Sequence, residues 1–264
     1  MNRRKRVDNT DQLTELQLVL ESADDIDFNY NKGSLLQGVL YEHIDSEYVD
    51  ILHEQGVKPY SQCVRIEDGQ IIWHIRTLSG EAYEKIIVPL LDNSFKEFEI
   101  AHNNVLVWIR DKSVHSISME QLFNDFYSGD AGRYFTIEFN TPTAFKKEGR
   151  YSFYPELFNI YHSLMMRFDS VSTRGGMYSE DTLEQLTNST EIVDYNLRSL
   201  RFGLEGVRIP SFLGKIRIRI HGSQTMINFA NLLFHFGNYS GIGIKTALGM
   251  GSVRITEQRR KENK

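Results

Sequence analysis

One order of secondary-structure patterns occurs twice in this sequence, and that repetition restricts the fold more than any other feature. In the first half, residues 13–20 read as a strand and residues 34–44 carry a helical apolar stripe. Two strand patterns then flank the turn Asp68-Gly69, which is a strong β-hairpin signal. A helix pattern over 81–91 and a strand pattern over 95–110 complete the order strand, helix, hairpin, helix, strand. This is the split β-α-β order of a ferredoxin-like domain.

The second half repeats the order. A long strand-like stretch at 133–154 precedes a helix over 155–168, and residues 190–220 read as a long hairpin. A nearly all-apolar helix over 225–236 and a final strand at 252–256 follow. The sequence therefore predicts an α+β fold of two tandem ferredoxin-like (RRM-like, βαββαβ) domains.

The predicted boundary lies near Asp130, where residues 128–132 form a short glycine-containing linker. We expect an N-terminal ferredoxin-like domain over 12–130 and a C-terminal one over 131–264. Residues 1–11 are polar and are expected to form a disordered leader.

Charge is distributed unevenly along the 264 residues, whose formal net charge is −5. From residue 201 onward there are eleven Lys or Arg against three Glu, a local charge of about +8 that suits a polyanionic ligand. The single cysteine, Cys63, excludes an intramolecular disulfide and a thiolate zinc cluster. Without a signal peptide or membrane-length apolar stretch, the sequence predicts a cytoplasmic protein with no membrane association.

A glycine-rich segment at 241–251, Gly-Ile-Gly-Ile-Lys-Thr-Ala-Leu-Gly-Met-Gly, lies between the last helix and the last strand. Its glycines allow positive φ angles and close approach, so its amides and Lys245 could face an anion such as phosphate. It is not a dinucleotide fingerprint, which needs Gly at Thr246, nor a Walker loop, which needs Gly at Ile244. The structural alternative is a helix C-cap with a tight turn, although Gly237 is better placed for that cap.

This segment resembles the C-terminal motif of the CRISPR-associated endoribonucleases that cut precursor CRISPR RNA, the Cas-six family of the RAMP superfamily. The family pattern is Gly-apolar-Gly, five residues including Lys or Arg, and Gly-apolar-Gly, and residues 241–251 match it at every position. The resemblance extends over about residues 13–256 and is strongest to stand-alone members that serve type III systems.

RNA can be cut without a metal because its ribose 2′-hydroxyl is already a nucleophile. The enzyme must then supply a proton acceptor, a proton donor and positive charge. The family's catalytic set is a Tyr in the first helix, a later His and a Lys further on, which implies Tyr41, His53 and Lys58 here. His53 would be the general acid, Tyr41 the base or orienting group, and Lys58 the charge stabiliser.

His43 is the competing histidine, two residues after Tyr41, but it falls within the apolar arc of the first helix. A histidine on such an arc is more often packed in the core, so His53 is favoured. A zinc-peptidase motif at His53 fails because Val57 stands where the second His would be. No metal and no cofactor are predicted.

Residues that hold RNA are less sharply defined. The resemblance implies contacts from Gly241, Gly243, Lys245, Gly249 and Gly251. Alternation in the second hairpin puts Lys215, Arg217 and Arg219 on one strand face with Arg208 nearby, and Lys146 and Lys147 lie in a further family-like stretch. Each of these cations could equally be a solvated surface residue.

The resemblance implies a metal-independent endoribonuclease that cleaves precursor CRISPR RNA within the repeat. Attack by the 2′-OH would leave a 2′,3′-cyclic or 3′-phosphate and a 5′-OH. The implied partner is CRISPR repeat RNA, single-stranded or hairpin, with transient hand-over of the product to a type III effector complex. The chain is expected to be a monomer or homodimer. Two alternatives stay open: a non-catalytic RAMP RNA-binding subunit, and a protein-interaction module whose glycine segment is only a turn.

Overall fold

The computed structural model describes residues 12–22, 27–100, 105–173 and 175–258. The predicted leader at 1–11 lies outside the described residues. In the described part of the chain, no helix is both long and apolar enough to cross a membrane.

The first half folds around a five-stranded sheet. Its elements are β1 (Gln12–Ser22), a 3₁₀ turn (Tyr30–Lys32), α1 (Gly33–Glu42), α2 (Ser46–Glu54), β2 (Tyr60–Glu67), β3 (Gln70–Thr77), α3 (Gly80–Ala82), a π turn (Tyr83–Ile87), α4 (Val88–Leu91), β4 (Glu97–Ile100), β5 (Val105–Ser118) and α5 (Met119–Ser128).

The sheet order is β2-β3-β1-β5-β4, and every neighbouring pair is antiparallel. Without the edge strand β4, this is the ferredoxin-like arrangement in which β1 lies centrally between β3 and β5. The predicted hairpin turn is present, since Asp68 and Gly69 both adopt positive φ angles of 48° and 81°. Apolar residues from one face of β1, such as Leu16 and Leu18, are buried in a common core with Leu36 and Leu40 of α1.

The second half repeats the architecture with a four-stranded sheet in the order β11-β6-β10-β9. Its elements are β6 (Tyr134–Thr143), β7 (Phe145–Lys147), β8 (Arg150–Ser152), α6 (Leu157–Val171), α7 (Glu180–Asn188), β9 (Thr190–Leu204), β10 (Val207–Ile220), α8 (Gln224–Ser240), a 3₁₀ turn (Thr246–Leu248) and β11 (Val253–Glu257). Here β6 lies centrally, paired with β10 and β11. The predicted α+β class with two ferredoxin-like units is confirmed.

Two helix ends differ from the predictions. The first helix begins at Gly33, one residue before the predicted stripe at 34–44. The glycine-rich segment packs on this end, where a Cβ at Gly33 would lie 2.2 Å from the Leu248 carbonyl oxygen. The predicted cap at Gly237 is wrong, since α8 continues to Ser240 and ends at Gly241. Gly237 is needed inside the helix instead, where a Cβ would lie 2.9 Å from Leu164 Cδ2.

The predicted strand at 95–110 is two strands, β4 and β5, and the second continues to Ser118. It is followed by α5, a helix that the pattern at 81–110 did not anticipate. Met119, Leu122 and Phe123 of α5 are buried in the core of the second half. The chain thus crosses between the halves through a helix that packs on the second one, while the boundary near Asp130 stays a prediction.

Candidate functional site

A cleft of about 650 Å³ lies between the two halves. Its first wall comes from α1, α2 and the segment after α2, and its second wall from β7, α6 and the glycine-rich segment. Six residues predicted from the sequence line it together: Tyr41, His53, Lys58, Lys146, Gly243 and Lys245.

Tyr41 and His53 are adjacent across the α1–α2 junction. Asp45 caps α2 by accepting the Tyr48 backbone N–H at 3.1 Å, which fixes where this helix starts. His53 consequently falls in its last turn, exposed, with its ring edge-on to the Tyr41 ring at 5.3 Å between centroids. A phosphodiester entering the cleft can therefore meet an imidazole and a phenol side by side.

A chain of hydrogen bonds orients the Tyr41 hydroxyl. Gln37 Nε2 donates to the Tyr60 hydroxyl at 2.8 Å, and Tyr60 donates to the Tyr41 oxygen at 3.2 Å. The Tyr41 oxygen is thus an acceptor, which leaves its own proton to be donated elsewhere. Burial raises the pKa of Tyr41, while the bond from Tyr60 lowers it by less. The group is a neutral phenol at physiological pH, which suits an orienting donor better than a base.

Lys58 closes the end of α2. Its ammonium donates to the carbonyl of Leu52, to that of Gln55 at 2.6 Å and to that of His53 at 3.5 Å. These are the carbonyls that a helix C-terminus leaves without partners, so Lys58 stabilises the turn that carries His53. Burial lowers the pKa of this ammonium. Lys58 does not lower the pKa of Tyr41, which burial raises.

His43 lies elsewhere. Its Nδ1 is 2.7 Å from the Val39 carbonyl oxygen and its ring packs on Phe95 at 4.5 Å between centroids. It is not among the residues that line the cleft.

The glycine-rich segment wraps into a compact loop that presents one cation. Gly241, Gly243, Gly249 and Gly251 all have positive φ, and Lys245 itself has φ 56°. Close approach explains two of these glycines, since an added Cβ would lie 2.4 Å from the Ala144 oxygen at Gly243 and 2.1 Å from the Ile242 oxygen at Gly251. Lys245 alone within the loop is exposed.

The backbone amides of this loop are largely used within the protein. The N–H groups of Ile242, Ile244 and Gly251 donate to carbonyls of Gly251, Ala144 and Pro142, and Gly243 N–H donates to Ser163 Oγ at 2.8 Å. The expectation that these amides cradle an anion is therefore not met by those four. Gly241, Gly249 and Gly251 shape the loop without lining the cleft, and Lys245 is the group that faces it.

The remaining predicted cations lie outside the cleft. Lys215, Arg217 and Arg219 project from the face of β10 opposite the buried Ile216 and Ile218, as predicted from their alternation. Lys215 and Arg217 line a separate depression of about 440 Å³ with Arg254.

The other three predicted cations have different surroundings. Arg219 lies 3.8 Å from Glu191 and over the Tyr134 ring. Arg208 is exposed beyond this depression. Lys147 lies over the Phe158 ring at 6.0 Å, beside the cleft.

Sequence patterns missed several polar residues of the cleft, namely Gln37, Ser163, His162, Arg167 and, behind Tyr41, Tyr60. The available signal was a polar residue inside an otherwise apolar helix, as Arg167 is between Met165 and Phe168. In the described part of the chain, no three His, Cys, Asp or Glu side chains are placed to hold a metal ion.

Two ferredoxin-like units with a glycine-rich loop beside the cleft place this chain in a class of two-unit α+β proteins. Solved structures share this fold: a Cas6 product complex aligns with a TM-score of 0.75 and 22% identity, over 93% of this chain and 100% of that one. A Thermus thermophilus Cas6 structure aligns with a TM-score of 0.71 and 20% identity, over 94% and 99%.

Sequence comparison narrows the class to one family. The family model for "CRISPR-associated endoribonuclease Cas6" matches residues 137–253. The Streptococcus thermophilus protein of that name is 32% identical over 223 residues, covering 84% of this chain and 90% of its own length. The Mycobacterium tuberculosis protein of the same name is 30% identical over 249 residues, covering 93% and 79%. This chain belongs to the Cas6 endoribonuclease family.

Proposed function

We propose that this protein is a metal-independent endoribonuclease that cuts precursor CRISPR RNA within the repeat. The observation that carries the proposal is the cleft in which Tyr41 and His53 of one half face Lys146 and Lys245 of the other. Family membership supports the substrate class, as do solved relatives described as a Cas6 product complex and a Cas6 substrate mimic complex.

The chemistry is a transesterification. The ribose 2′-oxygen forms a bond to phosphorus, the bond from phosphorus to the 5′-oxygen breaks, and one proton moves from the 2′-hydroxyl to the leaving oxygen. The products are a 2′,3′-cyclic phosphate, which water can open to a 3′-phosphate, and a 5′-OH. Because the nucleophile belongs to the substrate, the protein must supply proton transfer and charge stabilisation.

His53 takes the role of general acid in this proposal, since it is exposed in the cleft and beside Tyr41. Tyr41 donates a hydrogen bond that orients the reacting groups, in keeping with its neutral phenol. Lys58 fixes the last turn of α2 and adds positive charge to the first wall, while Lys146 and Lys245 bind the RNA backbone from the second wall. Hand-over of the product to a type III complex, and the choice between monomer and homodimer, stay predictions.

Replacing His53 by Ala tests the role of the cleft. We expect cleavage of a repeat RNA in EDTA to fall by at least about 100-fold, with RNA affinity kept within about threefold, because general acid catalysis contributes in this range. Single-turnover cleavage and filter binding on the same RNA provide the two measurements.

His43→Ala is the matched control, as it removes a histidine from the same segment but outside the cleft lining, and it should cleave at nearly the wild-type rate. Cleavage that persists without His53, or that requires a divalent ion, would refute this mechanism. Binding without any cleavage by the wild type would instead favour the non-catalytic RNA-binding subunit.

A further inference from the structure

The helix α6 presents two parallel rows of side chains at the second wall of the cleft. Residues four apart in a helix lie on one face and form a row of side chains. One row of α6 is polar, and the next, here called the apolar row, has two large apolar side chains with a histidine between them. The polar row is Asn159, Ser163 and Arg167, and the apolar row is Phe158, His162 and Met166. All but Phe158 line the cleft directly.

Arg167 is buried, and no counter-ion for it lies among the residues that the structure describes. Its side chain is 9% exposed, and its Nη2 donates to the Gly243 carbonyl at 3.2 Å. Its Nη1 is buried with no hydrogen-bond partner, and no carboxylate in the described part of the chain forms an ion pair with it. Burial lowers the pKa of this guanidinium to about 10. A buried guanidinium in this state is unfavourable unless an anion joins it.

The surroundings of Arg167 suit a phosphate. Gly243 is held from both sides by the polar row, because its N–H donates to Ser163 Oγ and its carbonyl accepts from Arg167. Lys245 follows two residues later in the loop and Lys146 also lines the cleft. A phosphate oxygen beside Gly243 would supply the acceptor that Nη1 lacks, in a cleft whose other charged lining residues are cationic.

The apolar row suits a nucleobase. Phe158 is 43% exposed and Met166 is 42% exposed, although both are large apolar side chains. The rings of Phe158 and His162 are nearly parallel, with 5.9 Å between centroids and an interplanar angle of 11°. Lys147 lies over the Phe158 ring at 6.0 Å, which adds a cation at the edge of this surface. Exposed flat rings beside cations are the usual means of binding unpaired bases.

We propose that α6 forms a nucleotide subsite, in which Arg167 binds one RNA phosphate and the Phe158–His162–Met166 row stacks an adjacent unpaired base. The subsite rests on the function proposed above but differs from the site of cleavage, since His53 belongs to the opposite wall. The proposal assigns Arg167 a non-scissile phosphate, a choice that the scan below tests. The occupant is single-stranded, because a paired and stacked base does not offer its face to a side chain.

A neutral-phosphate scan tests the Arg167 half of the subsite. Repeat RNA is made uncleavable by a 2′-deoxy residue at the scissile position. In a series of such RNAs, a deoxy methylphosphonate replaces one phosphate at a time and removes its charge. For the wild type, we expect one non-scissile position whose neutralisation weakens binding about tenfold. In Arg167→Gln that penalty should disappear while penalties elsewhere persist. If Arg167→Gln keeps every penalty, or loses only the one at the scissile phosphate, the subsite is refuted.

An abasic scan tests the stacking half. Removing the base next to the Arg167-coupled phosphate should weaken wild-type binding by about five- to tenfold and should not weaken binding by Phe158→Ala further. Tyr127→Ala is the matched control, because Tyr127 is an aromatic residue that is 78% exposed on α5 and outside the cleft lining. Equal abasic penalties in wild type and Phe158→Ala would refute the stacking role, and they would point to a bound duplex.

Folding and activity controls keep the outcomes separate. The midpoint of thermal unfolding without RNA shows whether Arg167→Gln folds. If it does not, Arg167→Lys replaces it, since a single ammonium should retain only part of the penalty at the coupled phosphate. Cleavage of unmodified RNA is measured in parallel. If the wild type cleaves RNA but the Arg167 and Phe158 variants lose none of its binding penalties, the subsite alone is refuted. If those penalties are lost as expected but the wild type does not cleave, the proposed activity alone is refuted.

Discussion

The residues around Tyr41 determine its chemical role. A phenol and an imidazole in one cleft suggest an acid and base pair, but burial raises the pKa of Tyr41 and Tyr60 donates into its oxygen. A phenol whose pKa is raised above its ordinary value stays almost entirely protonated at pH 7. The geometry therefore favours a neutral hydrogen-bond donor beside His53.

Replacing Tyr41 by Phe should lower the single-turnover cleavage rate by about tenfold and leave the shape of its pH dependence unchanged below pH 10. The phenol does not titrate in that range, so only its hydrogen bond is lost. Rates from pH 5 to 9.5 give the measurement, and Tyr127→Phe, on the exposed end of α5, provides the control. A wild-type alkaline limb that vanishes in Tyr41→Phe would show instead that Tyr41 is the base.

The resemblance to the Cas-six family singled out Tyr41, His53 and Lys58, and all three line one cleft. The sequence could not assign Lys58 to the end of α2, because its three carbonyl contacts depend on how the chain turns after Glu54. Tyr60 was equally hidden, since a fully buried tyrosine in a strand pattern looks like any other core aromatic residue.

At the scale of elements, the glycine-rich loop of the second half is hydrogen-bonded to the first half. The Ala247 carbonyl accepts from Gln62 Nε2 at 3.0 Å and from Gln37 Nε2 at 3.3 Å, both in the first half. The same Gln37 begins the hydrogen-bond chain to Tyr41. The loop thus couples the position of Lys245 to that of the phenol.

Lys245→Glu should weaken binding of repeat RNA by about tenfold or more and reduce the slope of log affinity against log salt by about one. The loop should keep its fold, because the backbone rather than this side chain makes its internal hydrogen bonds. Binding is measured at several salt concentrations, with Lys85→Glu as a matched charge reversal on an exposed lysine outside the cleft lining. If the affinity for repeat RNA is unchanged, the loop has only a structural role.

At the scale of the whole molecule, the duplicated order of elements could be predicted from the sequence, because each strand and helix has its own periodicity and turn residues. The contacts between the two halves could not be predicted in this way, since they depend on which faces of the two units meet. α5 illustrates the difference: Ser118 and Gln121 form a capping box that marks its start, but only the fold shows that its apolar face belongs to the second core.

A second link between the halves is a buried cluster of charges on the first sheet. Glu15 is 2.7 Å from Arg76 Nε and 3.0 Å from His74 Nδ1, and Arg76 Nη1 donates to Ser252 Oγ of the second half at 3.2 Å. Burial by itself would raise the pKa of Glu15, but hydrogen bonds and charges from His74 and Arg76, with a hydrogen bond from Gln17, outweigh it and lower the pKa strongly. The ionised carboxylate therefore stabilises the folded state.

Glu15→Gln should reduce the free energy of unfolding at pH 7 by about 2 kcal/mol, since a partly buried carboxylate with charged partners is lost. Because the folded pKa is strongly lowered from the unfolded value of about 4.3, this contribution is complete above the unfolded value and is lost progressively as the pH falls from there through the folded pKa. Urea unfolding between pH 7 and pH 3 should show the two proteins converging in acid. Glu21→Gln, on the same strand but in an exposed pair with Arg110, should change stability far less. A gap between wild type and Glu15→Gln that stays constant down to pH 3 would mean that the ionised Glu15 does not stabilise the folded state.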